Sequence, residues 1–189
     1  FFVLSGFLIT RILITEIEES HTIDLKNFWV RRIRRLIPAV LSMAVVIIFV
    51  SAVVNRVVFT KGCKDFVASV LGFNNWWQIF NKVSYFEAAG APSPFTHCWS
   101  LAIETQFYLI YPILLLLLSR VFRKRKKRGK VFAGLSGLLA VVSMILMAVL
   151  YNSNGDPSRV YYGTDTRAFA LLIGALAAIQ LEYRIIKVR

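Results

Sequence analysis

Two apolar runs without a charged residue constrain this chain more than any other feature: LIPAVLSMAVVIIFVSAVV at 36–54 and VFAGLSGLLAVVSMILMAVLY at 131–151. A helix needs about 20 apolar residues to cross the roughly 30 Å hydrocarbon core of a bilayer. Segments 1–15, 99–121 and 166–182 are nearly as apolar, and the last is rich in the small residues that allow close helix packing. The sequence therefore predicts an all-α fold, a polytopic transmembrane helix bundle with about five spans.

Composition supports a membrane protein and argues against a nucleic-acid binder. The 189 residues are 57% hydrophobic and only 17% charged, whereas soluble domains carry about a quarter charged residues. The net charge of +13 could indicate nucleic acid. However, the basic residues lie in short clusters beside the apolar runs, which is the membrane pattern. We expect a lipid bilayer as a partner and no nucleic acid.

The basic clusters also predict the orientation of the chain. They are RRIRR at 31–35, RKRKKRGK at 123–130 and YRIIKVR at 183–189. The positive-inside rule places all three in the cytoplasm. Loops 55–98 and 152–165 then lie outside, and every crossing alternates without conflict. This pattern predicts a multi-pass protein of the plasma membrane.

Two segments between the spans have a mixed character. FVASVLGFNNWWQIFN at 66–81 is apolar, but Asn74, Asn75 and Gln78 interrupt it and both its neighbours must lie outside. Its adjacent tryptophans favour the headgroup level, so it is predicted as an interfacial or re-entrant segment. The second half of connector 18–38 alternates apolar and basic residues, as an amphipathic helix on the inner surface does.

Four arginines precede the second span. Arg31 and Arg34, like Arg32 and Arg35, are three apart and share a helix face. Two guanidiniums on one face can bind phosphates in bidentate fashion, which predicts a phosphate-rich cytoplasmic ligand. The alternative is a positive-inside anchor beside a membrane helix. The sequence leaves both interpretations open.

A polar stripe enters the third span. On a helix, His97, Ser100, Glu104, Tyr108 and Tyr111 share one face, with His97 at the outer mouth and Glu104 about two turns deeper. Ionisable groups inside a membrane are expensive and are candidates for function. The alternative is a shallow Glu104 that reaches interfacial water. His97 and Glu104 are therefore candidate catalytic residues.

The last span begins with another ionisable cluster. Thr164, Asp165 or Thr166 can cap its helix, and Asp165 complements the positive end of the helix dipole. Arg167 is unfavourable there and needs a partner, which can be Asp165, Glu104 or a substrate. A structural ion pair and a catalytic role both remain open for Arg167.

The cysteines and histidines define no metal site. Cys63 and Cys98 fall near the same membrane face, where a disulfide and two unpaired thiols are both compatible with the sequence. His97, Cys98 and Glu104 match no usual set of metal ligands. We expect no bound metal.

Four blocks resemble one known family when they are taken together. They are FFVLSGFLIT at 1–10, FWVRRIRRLIPA at 28–39, HCWSLAIETQFYLIYP at 97–112 and YYGTDTRAFALLIGALAA at 161–178. Their order and spacing resemble the integral-membrane acyltransferase-3 family of bacterial O-acyltransferases. The wording of 85–104 resembles the peptidoglycan O-acetyltransferase branch of that family in Gram-positive bacteria.

The resemblance implies an enzyme with two substrates. It takes an acyl group, commonly acetyl, from acyl-CoA on the cytoplasmic side and passes it to a hydroxyl of an extracytoplasmic carbohydrate or cell-wall polymer. Acetyl-CoA is then a co-substrate, with no bound cofactor. The family also has an upstream helix with an arginine and a histidine that acts as general base or acyl relay, and many relatives add an SGNH-type domain. We therefore expect 1–189 to be a partial transmembrane acyltransferase domain, inactive alone, with further spans after it.

The resemblance also assigns roles to individual residues. Its Arg-x-x-Arg motif falls on Arg31/Arg34 or Arg32/Arg35, as donor-binding residues in an open register. Glu104, Arg167 and His97 are the candidate catalytic residues of this chain. The family's threonine-aspartate-threonine-arginine block falls on Thr164, Asp165, Thr166 and Arg167. The remaining motif positions are Ser5, Gly6, Phe7, Trp99, Ser100, Leu101, Phe107, Tyr108 and Tyr162.

Two other classes of protein stay open. A multi-spanning transporter or flippase without covalent chemistry also has charges near the midplane and glycine-interrupted helices. A structural membrane subunit would leave Arg167 and the arginine pair unexplained. Residues upstream of Phe1 discriminate, since an arginine and a histidine on one apolar helix favour the enzyme.

Overall fold

The computed structural model describes residues 1–54, 56–86, 93–153 and 155–185. Every regular element within these ranges is a helix, which confirms the predicted all-α class. The elements are α1 (Phe2–Ser20), α2 (Leu25–Val54), α3 (Arg56–Val70), α4 (Asn74–Phe80), a 3-10 helix (Thr96–Cys98), α5 (Trp99–Val121), α6 (Arg125–Leu150), α7 (Ser158–Tyr162) and α8 (Thr164–Ile185).

Four stretches of helix are long and apolar enough to cross a membrane. They are Leu25–Val54, Thr96–Val121, Lys126–Leu150 and Thr164–Tyr183, and they contain the four spans expected after the first. The expected first span, 1–15, lies in α1, which is helical but is not among the four. The reason is charge, because α1 includes Arg11 and continues through three glutamates near its end.

The expected amphipathic connector helix and the second span form one continuous helix, α2. Pro38 lies in the interior of α2, because this helix begins at Leu25. A proline there removes one hydrogen bond of the helix. α1 ends at Ser20, and the left-handed conformation of the next residue, His21 (φ 59°), separates α1 from α2.

The segment 66–81, predicted as interfacial or re-entrant, contains the end of α3 and the whole of α4. α3 begins at Arg56 and α4 begins at Asn74, with Gly72 between them in a left-handed conformation (φ 74°). A Cβ on Gly72 would lie 2.9 Å from Cγ2 of Thr105, so both the conformation and the space favour glycine.

The chain divides into two compact units. The first comprises Phe1–Trp29, Phe107–Val149 and Asp165–Arg189, and the second comprises Val30–Gln106 and Leu150–Thr164. The last basic cluster, 183–189, lies partly outside the described residues, because the description ends at 185.

In the first unit the backbones of α1 and α8 touch. A Cβ on Gly6 would lie 1.9 Å from the carbonyl oxygen of Leu171, and a Cβ on Gly174 would lie 1.9 Å from that of Val3. Such overlap is forbidden, so each glycine makes room for the other helix. The motif glycine Gly6 thus has a packing role.

A buried ion pair joins helices of the first unit. The guanidinium of Arg128, only 5% exposed, is paired with the Glu18 carboxylate, and the Tyr183 hydroxyl donates to the same carboxylate at 3.1 Å. Arg11 Nε pairs with Glu182 Oε1 at 2.8 Å. The basic run 123–130 was expected to be a topology signal, yet Arg128 within it is part of the packed interior.

Candidate active site

The second unit buries an unusual number of amides on α4. Asn74, Asn75 and Gln78 are each 0% exposed. Their places in the helix, with Gln78 one turn after Asn74, put them on the side that packs against α3 and α7. Buried amides require hydrogen-bond partners, so α4 must be the centre of a polar network.

Asn75 belongs to a closed loop of hydrogen bonds with Thr164 and Gln106. Asn75 Nδ2 donates to Thr164 Oγ1 at 2.8 Å, and Thr164 Oγ1 donates to Gln106 Oε1 at 2.6 Å. Gln106 Nε2 closes the loop by donating to Asn75 Oδ1 at 2.9 Å. We call these three residues the amide loop.

The amide loop is also tied to the backbone around it. Asn75 Nδ2 donates to the carbonyl of Tyr162 at 3.0 Å, and Gln106 Nε2 donates to that of Gly72 at 3.0 Å. Trp76 Nε1 adds a bond to Gln106 Oε1 at 3.2 Å. The loop therefore joins α4, α5 and the junction of α7 with α8.

A buried carboxylate of α3 lies beside α4. Asp65 is 8% exposed and accepts hydrogen bonds from Trp77 Nε1 at 2.7 Å and Gln78 Nε2 at 3.3 Å. Asn74 Nδ2 donates to Ser69 Oγ at 2.8 Å beside it. Both side-chain donors to Asp65 are neutral, which makes this an isolated acid in an otherwise uncharged polar cluster.

Aromatic rings surround Tyr162. Tyr85 stacks on Tyr161 with centroids 4.3 Å apart, and Trp99 lies edge-on to Tyr162 at 6.0 Å. Tyr162 is 0% exposed, and its hydroxyl has no hydrogen-bond partner within the described ranges. Burial, followed by the nearby Tyr85 and Asp156, raises the pKa of Tyr162, so the hydroxyl is neutral at physiological pH. A buried, neutral hydroxyl can donate to or accept from a substrate.

A small clasp holds the aromatic residues in place. The Tyr85 amide donates to Ser158 Oγ at 2.8 Å, and both the amide and the hydroxyl of Ser158 donate to Asp156 Oδ1. Burial alone would raise the pKa of Asp156. The hydrogen bonds from Ser158 and from Ser84 outweigh it and lower the pKa below its ordinary value of 3.8.

The two acid–base candidates near the start of α5 have different environments. Glu104 is 3% exposed, so the alternative of a shallow carboxylate in interfacial water does not hold. His97 is exposed in the 3-10 helix before α5, and its ring lies edge-on to Tyr85 at 6.4 Å. The predicted stripe therefore lies on α5 only from Ser100 onwards, because α5 begins at Trp99 and His97 belongs to the preceding 3-10 helix.

The four arginines lie together on the first third of α2. Arg31, Arg34 and Arg35 are exposed, whereas Arg32 is half-buried. The exposed three lie three and four residues apart, on one side of the helix. They form a cationic surface on α2 that is accessible to a phosphate, and the register of the motif stays open.

Motif residues of the first unit take part in ring stacking and in hydrogen bonding. The rings of Phe107 and Tyr111 stack at 4.5 Å, and Trp29 Nε1 donates to the carbonyl of Tyr108 at 3.1 Å. Ser5 and Phe7 are half-buried on α1, as are Asp165 and Arg167 on α8.

Backbone carbonyls near the starts of α8 and α5 accept hydrogen bonds from serine side chains. Ser143 Oγ donates to the carbonyl of Asp165 at 2.5 Å, which fixes the first turn of α8 to α6. In the second unit, Ser100 Oγ donates to the carbonyl of His97 at 3.4 Å. Cys63 and Cys98 are both free thiols, the first exposed and the second buried.

Asn75, Gln106 and Asp65 were not among the predicted site residues. In the sequence, the amides of 66–81 argue only against a membrane span. The available signal was the pair Asn74–Asn75 beside Gln78 in an apolar segment, since such amides must be hydrogen-bonded when buried. In the described ranges no three His, Cys, Asp or Glu side chains come together in a group that could hold a metal ion.

Comparison with known proteins gives the family. A family model described as acyltransferase domain, Acyl_transf_3, matches residues 1–189. The chain is 50% identical over 178 residues to "Peptidoglycan O-acetyltransferase OatA" of Listeria monocytogenes, covering 94% of this chain and 28% of that protein. It is 45% identical over 179 residues to "Putative peptidoglycan O-acetyltransferase YrhL" of Bacillus subtilis, covering 95% and 28%.

A Staphylococcus aureus protein named "Putative O-acetyltransferase SACOL0978" is 42% identical over 178 residues, which cover 94% of this chain and 29% of that protein. The chain thus spans less than a third of the length of these relatives. No solved structure matches it. Because the family model covers its whole length, the chain belongs to the acyltransferase-3 family.

Proposed function

We propose that this chain is part of a membrane-embedded O-acetyltransferase that acts on the cell wall. Acetyl would pass from acetyl-CoA in the cytoplasm to a hydroxyl of an extracytoplasmic carbohydrate, with peptidoglycan as the first acceptor to examine. The observation that carries the proposal is the family match over 1–189, together with relatives named as peptidoglycan O-acetyltransferases. The acceptor oxygen bonds to the acyl carbon, the thioester C–S bond breaks, and the hydroxyl proton ends on the sulfur of CoA.

The arginines of α2 are the proposed donor site. CoA carries several phosphates, and guanidiniums bind phosphate through charge-assisted, bidentate hydrogen bonds. Arg31, Arg34 and Arg35 are exposed on one side of the helix, as such a site requires. The positive-inside rule supports a cytoplasmic position for this part of α2.

The second unit supplies the proposed outward half of the path. Glu104 is a buried carboxylate, and Tyr162 is a buried, neutral hydroxyl. A carboxylate can take a proton from an acceptor hydroxyl, and a phenol can hydrogen-bond the acyl oxygen or the acceptor. In this proposal His97 lies at the mouth of the path, and Arg167 on α8 is a candidate catalytic residue of the first unit. The upstream histidine, the plasma membrane location and an SGNH-type partner domain are parts of the same proposal.

The test is acetyl transfer by the full-length protein in membranes, measured as O-acetyl groups released from purified wall polymers after supply of labelled acetyl-CoA. Replacing Arg31 and Arg34, or Arg32 and Arg35, by alanine should raise the KM for acetyl-CoA about tenfold or more, since each lost charged hydrogen bond is worth roughly 1.5–3 kcal/mol. The pair with the larger effect gives the register of the motif.

The matched control is Arg123→Ala with Lys126→Ala, which removes two exposed charges of the same spacing from another basic cluster. Its KM should stay unchanged. Unaltered transfer by both arginine double variants would refute the donor site. A transporter without covalent chemistry would yield no O-acetyl product at all, and family membership favours the enzyme over that alternative.

A further inference from the structure

We propose that Asn75 and Gln106 are positioning residues of the acyltransferase site, which act through Thr164 and the Tyr162 backbone to place the Tyr162 hydroxyl. The inference rests on the proposed function. It gives Asn75 and Gln106 a role that neither the resemblance nor the expected catalytic set assigns to them, and it follows from the geometry of the amide loop.

The amide loop has only one arrangement of its donors. Asn75 Nδ2 uses its two hydrogens on the Tyr162 carbonyl and Thr164 Oγ1, and Gln106 Nε2 uses its two on Gly72 and Asn75 Oδ1. Rotating either amide by half a turn would bring oxygen against oxygen at these contacts. The bonds thus fix the orientation of both side chains.

The segment that the amide loop contacts, α7 and Gly163, has little intrinsic stability. α7 is only five residues long, Ser158–Tyr162, and Gly163 follows in an extended conformation (φ −64°, ψ 129°) before α8 begins. A helix of this length is unstable on its own. The bonds from Asn75 to both sides of Gly163, at Tyr162 and Thr164, therefore set where α7 ends.

Within the described residues, no hydrogen bond restrains the hydroxyl end of the Tyr162 side chain. Its hydroxyl makes no hydrogen bond to the described part of the chain, so its position depends on ring packing and on its own backbone. The ring contacts to Tyr85 and Trp99 restrain its tilt. The side-chain amide of Asn75, which is 0% exposed, donates a hydrogen bond to the Tyr162 carbonyl. This bond fixes the position of the Tyr162 backbone.

The experiment compares two substitutions of Thr164 in the full-length enzyme. Thr164→Val keeps the shape but removes the hydroxyl, and Thr164→Ser keeps the hydroxyl. We expect Thr164→Val to lower kcat for acetyl transfer about 10- to 100-fold, because displacement of a reacting group by roughly 1 Å can cost that much. The KM for acetyl-CoA should change less than about twofold, since the donor arginines are untouched. Thr164→Ser should restore most of the rate.

Asn75→Asp provides a second variant, because it removes both donors of that amide. Combined with Thr164→Val, it should lower kcat little more than the larger single effect, as expected for members of one network. Asn81→Asp and Gln180→Glu are matched controls in exposed positions. They should leave kcat unchanged.

The outcomes separate the two proposals. Equal kcat for wild type and Thr164→Val would overturn the positioning role and leave the acetyltransferase function standing. A loss of kcat that merely follows a loss of folded protein, measured by thermal unfolding in the same detergent, would also overturn it. Absence of acetyl transfer by the wild type would refute the proposed function and, with it, this inference.

Discussion

The contact of α1 with α8 and the amide loop solve the same problem in opposite ways. In the first unit two helices approach until backbone meets backbone, and Gly6 and Gly174 contribute by having no side chain. In the second unit helices are joined by side chains that reach across a gap and hydrogen-bond with one another. The first contact depends on shape alone, whereas the second depends on the identity and direction of each polar group.

This difference predicts how the two regions respond to change. Close packing of backbones tolerates no added atom, but it is indifferent to charge and pH. A hydrogen-bonded network tolerates changes of volume better, yet the loss of one partner leaves a buried group unsatisfied. Substitutions at the α1–α8 contact of the first unit should therefore mainly lower stability. Substitutions in the amide loop of the second unit should mainly lower activity.

The largest expected effect is that of Gly6→Ala. One methyl group would collide with the carbonyl of Leu171, and α1 would have to separate from α8. We expect a loss of more than about 3 kcal/mol of stability, at the upper end for overpacking. The measurement is the unfolding temperature of the full-length protein in detergent.

Gly134→Ala on α6 is the matched control, because nothing lies within 4 Å of the added Cβ. It should stabilise its helix by roughly 0.5–1 kcal/mol. If Gly6→Ala unfolded at the wild-type temperature, the close contact of α1 with α8 would be disproved.

The next effect is that of Asp65→Asn in the second unit. Asparagine keeps the size but turns one acceptor into a donor, which must then face the N–H of Trp77 or the amide of Gln78. We expect a destabilisation of about 1–3 kcal/mol, the cost of one unsatisfied buried group. Thermal unfolding checks it, with Glu19→Gln at an exposed position as the control. An unchanged unfolding temperature would contradict the buried network.

A smaller effect should follow acidification at the clasp. Hydrogen bonds lower the pKa of Asp156 in the folded protein, so the clasp adds stability above the ordinary value of 3.8 and loses it as the pH falls through the lower folded value. Hydrogen exchange at the Tyr85 amide, corrected for its intrinsic rate, should therefore become faster as the pH falls below the pKa of Asp156 in the folded protein. In Asp156→Asn the corrected rate should not depend on pH, and a wild-type rate without this dependence would argue against the clasp.

The smallest effect is chemical and leaves the fold unchanged. Cys63 is exposed and Cys98 is buried, so a membrane-impermeant maleimide should label the first in intact cells and the second only after denaturation. Comparison with Cys63→Ser identifies the signal. Labelling of Cys63 only after the cells are opened would reverse the orientation predicted from the basic clusters.

The helices were largely predictable, because apolar runs of span length leave a chain few alternatives in lipid. The expected spans from 36 onward were confirmed as helices of sufficient length. The boundaries were less predictable. α2 continues through Pro38 because one proline bends a helix without ending it, and the segment 66–81 divides at Gly72 because the turn needs a positive φ.

The site was less predictable than the fold, because its members are distant in the sequence. Glu104 stood out as an acid in an apolar run, and it is buried. Asn75 and Gln106 carry no charge and gave no comparable signal. Their partnership across 31 positions appears only when the chain is folded. The roles of His97, Arg167 and the α2 arginines stay predictions.

The amide loop also bears on the movement of protons through the second unit. Proton pumps and leaks run through chains of acids and histidines that take up and release protons in turn. Asn75, Thr164 and Gln106 form a continuous chain of hydrogen bonds, yet none of them titrates at physiological pH. Protons cannot hop along such a chain without breaking it. This part of the second unit is therefore continuously hydrogen-bonded, yet it offers no path for protons.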